Sequence, residues 1–225
     1  MRTTALLSCL LLCAGGALRA AEAPRRPKKL DGRVTVYGAY GSPRDRDLLV
    51  GGDSIPDTRL KAGPGAGLKA SVFPRFTRYA FGLELEAFAF RGRLAAPLNS
   101  DGGGRRSARA ELSSFHLMTN LVARFPGEVF QPHLGIGYGG AIGILSSASI
   151  ERDADAFSGS TGTGAPGYQV FAGARVKVGR RLHLFCEAKY LAIRYVFNNK
   201  GFGPRTTLDL RNRLLAAGLA LPFSL

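Results

Sequence analysis

With 31 Lys and Arg against 16 Asp and Glu, this 225-residue chain carries a formal net charge of +15. The length suits one domain behind a removable leader. The basic residues are scattered, and no zinc, helix-turn-helix or RNA-recognition pattern accompanies them. That sets nucleic-acid binding aside in favour of a basic surface facing anionic lipid headgroups.

Residues 1–20 have a basic start at Arg2, an apolar core from Ala5 to Leu18 and small residues after it, the layout of a secretory signal peptide. The apolar run is too short for a spanning helix, which needs about 20 residues. Leu18-Arg19-Ala20 before Ala21 is the preferred cleavage site, with Ala21 and Ala23 as alternatives. A lipoprotein leader would want a small residue before Cys13, where Leu12 stands. Removing 1–20 takes away two arginines and no acid, so the remainder stays strongly basic. It also takes away Cys9 and Cys13, leaving Cys186 and no intramolecular disulfide framework. Residues 21–32, with Arg25-Arg26-Pro27-Lys28-Lys29, form a basic lead-in segment to a domain expected over 33–225.

From there the chain alternates with period 2. Arg33–Tyr40 is the first expected strand, with Val34, Val36 and Tyr40 on one face. Gly65–Phe73 follows, Ala66, Leu68, Ala70 and Val72 opposing Gly67, Lys69 and Ser71. In Ala80–Arg91, Phe81, Leu83, Leu85, Ala87 and Ala89 oppose Gly82, Glu84, Glu86, Phe88 and Phe90. In Arg109–Phe125, Phe115, Leu117, Thr119, Leu121, Ala123 and Phe125 oppose His116, Met118, Asn120 and Arg124. His133–Leu145 sets Leu134, Ile136, Tyr138, Ile142 and Ile144 against glycines. The clearest signal is Gly167–Tyr195, a hairpin turning at Gly179-Arg180-Arg181. Its arms put Tyr168, Val170, Ala172, Ala174, Val176 and Val178, then Leu182, Leu184, Cys186, Ala188, Tyr190 and Ala192, on the apolar face. Thr207–Leu225 is the last strand. Alternation over about 11 residues fits a tilted strand crossing a bilayer, and also a soluble sandwich or lipocalin hairpin.

The connections decide between these. Eight strands are separated by alternately long and short segments, the long ones at 41–62, 92–108, 146–166 and 197–206. Short periplasmic turns, longer extracellular loops and an even strand count are the pattern of an outer-membrane barrel. Unstructured loops near twenty residues are uncommon in compact soluble domains. Glycines facing Phe88, Phe90, Phe171, Phe185, Arg175 and Lys177 suit the filled interior of a narrow barrel. Tyr40, Tyr79, Phe81, Phe125, Tyr190, Tyr195 and Phe223 are expected in an interfacial girdle at the strand ends.

The C-terminal Gly218, Leu221, Phe223 and Leu225 resemble the outer-membrane barrel insertion signal, with Leu225 where that signal usually ends in Phe or Trp. The last hairpins, with Gly173, Arg175 and Lys177 on one arm and Leu182, Leu184, Glu187 and Tyr190 on the next, resemble the small outer-membrane β-barrel superfamily, the opacity-protein and OmpA/OmpX-like group. The resemblance implies an eight-stranded antiparallel up-and-down transmembrane β-barrel, assembled by the barrel assembly machinery among outer-membrane lipid and lipopolysaccharide. It covers roughly 33–225 and speaks for architecture more than activity.

It also admits lipid A deacylases and palmitoyltransferases, which pair a hydroxyl with a histidine. The histidines are His116, His133 and His183, and none stands in a His-x-Ser arrangement. His133 and His183 fall beside expected periplasmic turns. Ser113 would point to the opposite strand face from His116, and Ser114 shares its face as a coincidence of spacing. No catalytic, metal or cofactor residue is therefore assigned. Gly159–Gly164 lacks the Lys-Ser/Thr of a phosphate-binding loop, and Asp153 and Asp155 read as solvated loop charges rather than a calcium site. Lys69, Glu84, Glu86, Arg175, Lys177, Glu187 and Lys189 are expected to form an interior charge ladder, because buried ions must be paired. Such a ladder plugs the lumen or narrows it to a small pore; the small lumen of eight strands favours the plug. The expected role is structural and interactive, through envelope integrity, lipopolysaccharide contact and recognition by the four long loops, with a narrow pore second and lipid A chemistry third.

Overall fold

The computed structural model describes residues 30–43, 48–50, 53–55, 59–61, 63–96, 106–152, 155–179, 181–198 and 205–224. The leader 1–20, residues 21–29 of the lead-in segment, Asp153 and Leu225 lie outside them. Eight long strands form the barrel: β1 (Leu30–Pro43), β5 (Gly63–Pro74), β6 (Phe81–Ala96), β7 (Arg106–Arg124), β8 (Phe130–Arg152), β9 (Asp155–Lys177), β10 (His183–Phe197) and β11 (Thr206–Ser224). Three short strands, β2 (Leu48–Val50), β3 (Asp53–Ile55) and β4 (Arg59–Lys61), lie between β1 and β5.

Each long strand pairs antiparallel with its neighbours in the order β1-β5-β6-β7-β8-β9-β10-β11, and β11 pairs back on β1. The seam is continuous from Asp31↔Ser224 to Pro43↔Asn212. Closure leaves no free edge among the eight, so their backbone amides are satisfied within the sheet, as a hydrocarbon surrounding demands. Among the described residues no helix is long and apolar enough to cross a membrane.

Burial follows the alternation. On β6, Phe81, Leu83, Leu85 and Ala89 are exposed while Gly82, Glu84, Glu86, Phe88 and Phe90 are buried. The outer surface therefore carries an apolar belt including Val34, Val36, Leu117, Leu121, Leu134, Ile136, Leu215, Leu219 and Leu221. Outward rows of five residues, Phe81 to Ala89 and Leu215 to Phe223, end in Arg91 and Arg213, both exposed. Five alternate residues of a tilted strand match an apolar band about 25 Å tall. Leu85 is at the middle of its row, so Leu85→Arg should lower the unfolding free energy in lipid vesicles by about 2–4 kcal/mol, against at most about 1 kcal/mol for Phe81→Arg at the rim. Equal costs at both positions, measured by urea unfolding, would refute the belt.

The three short connections lie at one end. A 3-10 turn, Arg75–Thr77, leads from β5 towards β6. Residues 125–129 join β7 to β8, and in 178–182 the Val178 amide donates to the Leu182 carbonyl at 3.0 Å. Under the loop rule for outer-membrane barrels this end faces the periplasm.

Several boundaries differ from the sequence expectation. β1 starts at Leu30, so the last three residues of the lead-in segment belong to the barrel. The expected loop 41–62 contains three short strands. The expected loop 146–166 is mostly ladder, since β8 and β9 are 23 residues each and pair as far as Arg152↔Asp155. Crossing takes about 9–11 residues, so this hairpin projects well beyond the bilayer. Similarly β6 reaches Ala96 and β7 starts at Arg106, shortening 92–108, and 197–206 overlaps the ends of β10 and β11. Backbone pairing holds these stretches, although their Ser, Thr and Gly content reads as loop.

The girdle needs one correction. Tyr40, Phe81, Phe125 and Phe223 are exposed and Tyr79 and Tyr190 half-buried, but Tyr195 is wholly buried inside the barrel. Ala192 keeps the outer parity expected of it and is buried between its larger register neighbours Tyr168 and Arg211.

Candidate functional site

The interior divides into two chemistries. Toward the extracellular end lies an apolar cluster including Phe90, Leu112, Leu145, Leu191, Ile193, Phe197, Leu208, Leu210 and Leu214. Charged residues fill the interior nearer the short turns. Large side chains fit because glycines face them. A Cβ on Gly135 would stand 2.3 Å from the Phe171 ring and 2.9 Å from the Leu121 carbonyl oxygen.

The charged group is built across the lumen from β5, β6, β8, β9 and β10. Lys69 Nζ donates to both oxygens of Glu187 at 2.7 and 2.8 Å. It also lies 3.3 Å from Glu84 and 3.7 Å from Glu86. Lys189 Nζ donates to Glu86 Oε1 and lies 3.7 Å from Glu187. Arg175 Nη2 contacts Glu84 Oε2 at 3.4 Å. Lys177 is half-buried and in register with His183. Lys69, Glu84, Glu86, Arg175, Glu187 and Lys189 are all buried. Lys69 Nζ additionally stands 4.7 Å from the Phe171 ring centroid, and Lys189 Nζ 4.9 Å from that of Phe88, so aromatic faces share the cations' solvation.

Neutral donors complete this group, and sequence reasoning left them out of it. The Tyr37 hydroxyl donates to Glu86 Oε1. Asn120 Nδ2 reaches Glu84 at 3.1 Å and Glu86 at 3.2 Å. Gln169 Nε2 donates to Glu86 Oε2 at 2.6 Å, and His133 Nε2 lies 3.2 Å from Glu187 Oε2. Inward parity was the available signal: each lies on the strand face that carries the charged residues. Nearer the short turns, Asp31 Oδ2 accepts from Arg33 at 3.1 Å and from Arg124 at 2.5 Å.

The Ser114–His116 spacing is a contact rather than a coincidence. Ser114 Oγ lies 2.7 Å from His116 Nε2 and 2.5 Å from the Tyr195 hydroxyl. All three residues are buried, and His116 stacks on Phe88 with centroids 4.2 Å apart and planes 6° from parallel. Among the described residues His116 Nδ1 has no hydrogen-bond partner, so none of their carboxylates orients the imidazole as a triad acid would. His183 is buried beside β11, in register with Ala220. Among the described residues no group of three or more His, Cys, Asp or Glu could hold a metal ion.

The C-terminal strand places Leu221 and Phe223 outward and Gly218 against β1, in register with Tyr37. Leu225 is outside the described residues.

A family model described as outer membrane protein beta-barrel domain matches residues 5–223. Among solved structures the chain is similar to the outer membrane protein OprG from Pseudomonas aeruginosa, at 17% identity and a TM-score of 0.61, covering 88% of this chain and 98% of that one. It is also similar to Neisserial surface protein A, at 13% identity and a TM-score of 0.51, covering 85% of this chain and 97% of that one. These likenesses concern the fold. No curated protein matches the sequence.

Proposed function

Because the chain belongs to the outer membrane protein beta-barrel domain family, we propose that it is a plugged barrel that serves the envelope structurally and by surface recognition, not by conduction or catalysis. The observation that carries this reading is the buried group around Lys69, Glu84, Glu86, Glu187 and Lys189, linked from β5 and β6 across to β10. Eight strands enclose a space that side chains can fill, and here ion pairs and the apolar cluster occupy both ends of it. A small mobile ion would have to break several buried charge pairs to pass.

Contact with lipopolysaccharide is supported by exposed cations just beyond the apolar rows: Arg91 and Arg93 on β6, Arg194 on β10 and Arg213 on β11. On the outer face they stand at the level where lipid phosphates lie. Recognition falls to the connections at that end and to the projecting β8–β9 hairpin. Export by a cleaved leader and assembly through Gly218, Leu221, Phe223 and Leu225 belong to the same proposal. For Ser114, His116 and Tyr195 the reading is interior packing, since the hydroxyl is shared between two side chains and enclosed by aromatic residues.

Planar-bilayer recording on the refolded full chain tests the plug. We expect no resolved conductance steps from the native barrel. Glu86→Ala, which removes the acceptor of Lys189, Tyr37 and Gln169, should introduce flickering openings. Steady ion-selective steps from the native protein would overturn the plug in favour of the narrow pore. Altered lipid A acylation on deletion of the gene would establish the enzymatic reading instead.

A further inference from the structure

The cations at the periplasmic end exceed the acids beside them, and we infer that this part of the lumen binds a small oxyanion of the phosphate type. Three arginines converge there from three strands. Arg33 on β1 reaches across the barrel, Nη1 donating to Gln131 Oε1 on β8 at 2.5 Å. Gln131 is the register partner of Arg175 on β9. Arg124 on β7 shares Asp31 with Arg33, and its strand neighbour in register is His133. Arg33, Arg124 and Arg175 are 3%, 6% and 1% exposed, too little for water to screen their charge.

Their anionic partners do not balance them. Arg33 and Arg124 share the single carboxylate of Asp31. Among the described residues Arg175 has Glu84 alone as an anionic partner, at 3.4 Å, and Lys69 and Asn120 also hold that carboxylate. Glu84, Glu86 and Glu187 match Lys69, Lys189 and Arg175 in number, so the surplus at the lower end is the one positive charge that Arg33 and Arg124 leave over Asp31. His183, in register with Lys177 on β9, adds a further nitrogen donor beside it.

The donors are also incompletely used. Arg33 Nε, Arg124 Nη1, Arg175 Nε and Nη1, and His183 Nδ1 are buried with no hydrogen-bond partner among the described residues. Buried charge and unpaired donors each cost free energy unless compensated. One anionic ligand with several acceptor oxygens would meet both needs, because each open N–H can take a separate phosphate oxygen in a charge-assisted hydrogen bond. Arg124 is held in place for this: its guanidinium carbon lies 3.7 Å from the Phe73 ring centroid, Nε donates to the Tyr79 carbonyl at 2.7 Å and Nη2 to Asp31, and Nη1 is left for a ligand. Asp31 and Gln131 at this end are half-buried, giving an approach from the periplasmic mouth.

The test uses the full chain refolded in zwitterionic detergent micelles, with inorganic phosphate titrated at constant ionic strength and chloride as the balancing anion. Calorimetry should show saturable binding at about one ion per chain, with a matching rise in the unfolding temperature. Arg175→Gln and Arg33→Gln should each weaken binding about tenfold or more, while Glu111→Gln on the outer surface leaves it unchanged. Should either arginine variant fail to refold, Lys177→Gln at the strand end replaces it, with a loss of severalfold expected, and broadening of the phosphate phosphorus resonance by the native barrel provides a second readout. Glycerol phosphate titrated in parallel distinguishes a free ion from a monoester, since only a site open to the mouth admits the larger ligand. Stabilisation that follows ionic strength whichever anion is present, or binding equal in the native, Arg175→Gln and Lys177→Gln proteins, would overturn the inference. Neither result depends on whether the barrel conducts.

Discussion

Glu187→Ala should destabilise the folded barrel by about 3–5 kcal/mol, the usual cost of removing one partner from a buried ion pair, read as a lower urea midpoint in lipid vesicles. Glu187 accepts both of the short Lys69 contacts, faces Lys189 at 3.7 Å and holds His133. Without it Lys69, Lys189 and Arg175 share only Glu84 and Glu86, and one buried cation is left uncompensated. Truncation also leaves a void beside Lys69, whose ammonium lies over the Phe171 ring, so a charge deficit and a packing deficit act together. A second variant separates them. Lys69→Met with Glu187→Leu removes one charge of each sign and refills the volume, and replacing a buried pair by apolar residues of similar size is often neutral. The double variant should therefore recover most of the loss, a strong positive coupling between the two positions. If it is as unstable as Glu187→Ala alone, the charge account fails and the fit of side-chain shapes matters more than their charge.

The parts of this architecture that rest on alternation were legible from residues alone. On β5 to β9 the outward row is mostly apolar, with Thr119 among the exceptions, and closure turns that row toward lipid. Alternation says less where both faces are apolar. Leu191, Ala192 and Ile193 are consecutive and all buried: Leu191 and Ile193 belong to the interior cluster, whereas Ala192, on the outer parity, is a small side chain between its larger register neighbours Tyr168 and Arg211. Tyr195 shares the interior parity of Leu191 and Ile193; a tyrosine near a strand end suits an interfacial girdle by type, yet its hydroxyl finds Ser114 inside. Composition misled at 146–166, where Ser, Thr and Gly read as loop although the backbone ladder, not side-chain chemistry, extends the hairpin. Arg33, Asp31 and Arg124 are charged residues beside turns, normally solvated, and only barrel closure brings them into one buried cluster.

Gly218→Val should abolish the compact, heat-modifiable form of the barrel. A Cβ at Gly218 would stand 2.1 Å from the Val36 carbonyl oxygen and 2.7 Å from Tyr37 Cα. Both are backbone atoms, so no rotamer change relieves the clash; β11 must move off β1. These two strands form the closing seam, with Gly218 opposite Tyr37 in the middle of it, and Tyr37 in turn donates to Glu86 in the charge group. Displacement there both opens a sheet edge and pulls a donor out of the interior, each intolerable in hydrocarbon. Unheated electrophoresis after detergent refolding reads the result directly: native chain should migrate as a compact band that shifts on boiling, and Gly218→Val only at the boiled position. The same glycine stands in the stretch that resembles an insertion signal, and the site of failure tells the two roles apart. Failure to refold in pure detergent, where no assembly machinery is present, assigns the requirement to the seam. Normal refolding in detergent with loss only in cells would instead show that Gly218 is read as a signal, and that the seam accommodates the extra carbons.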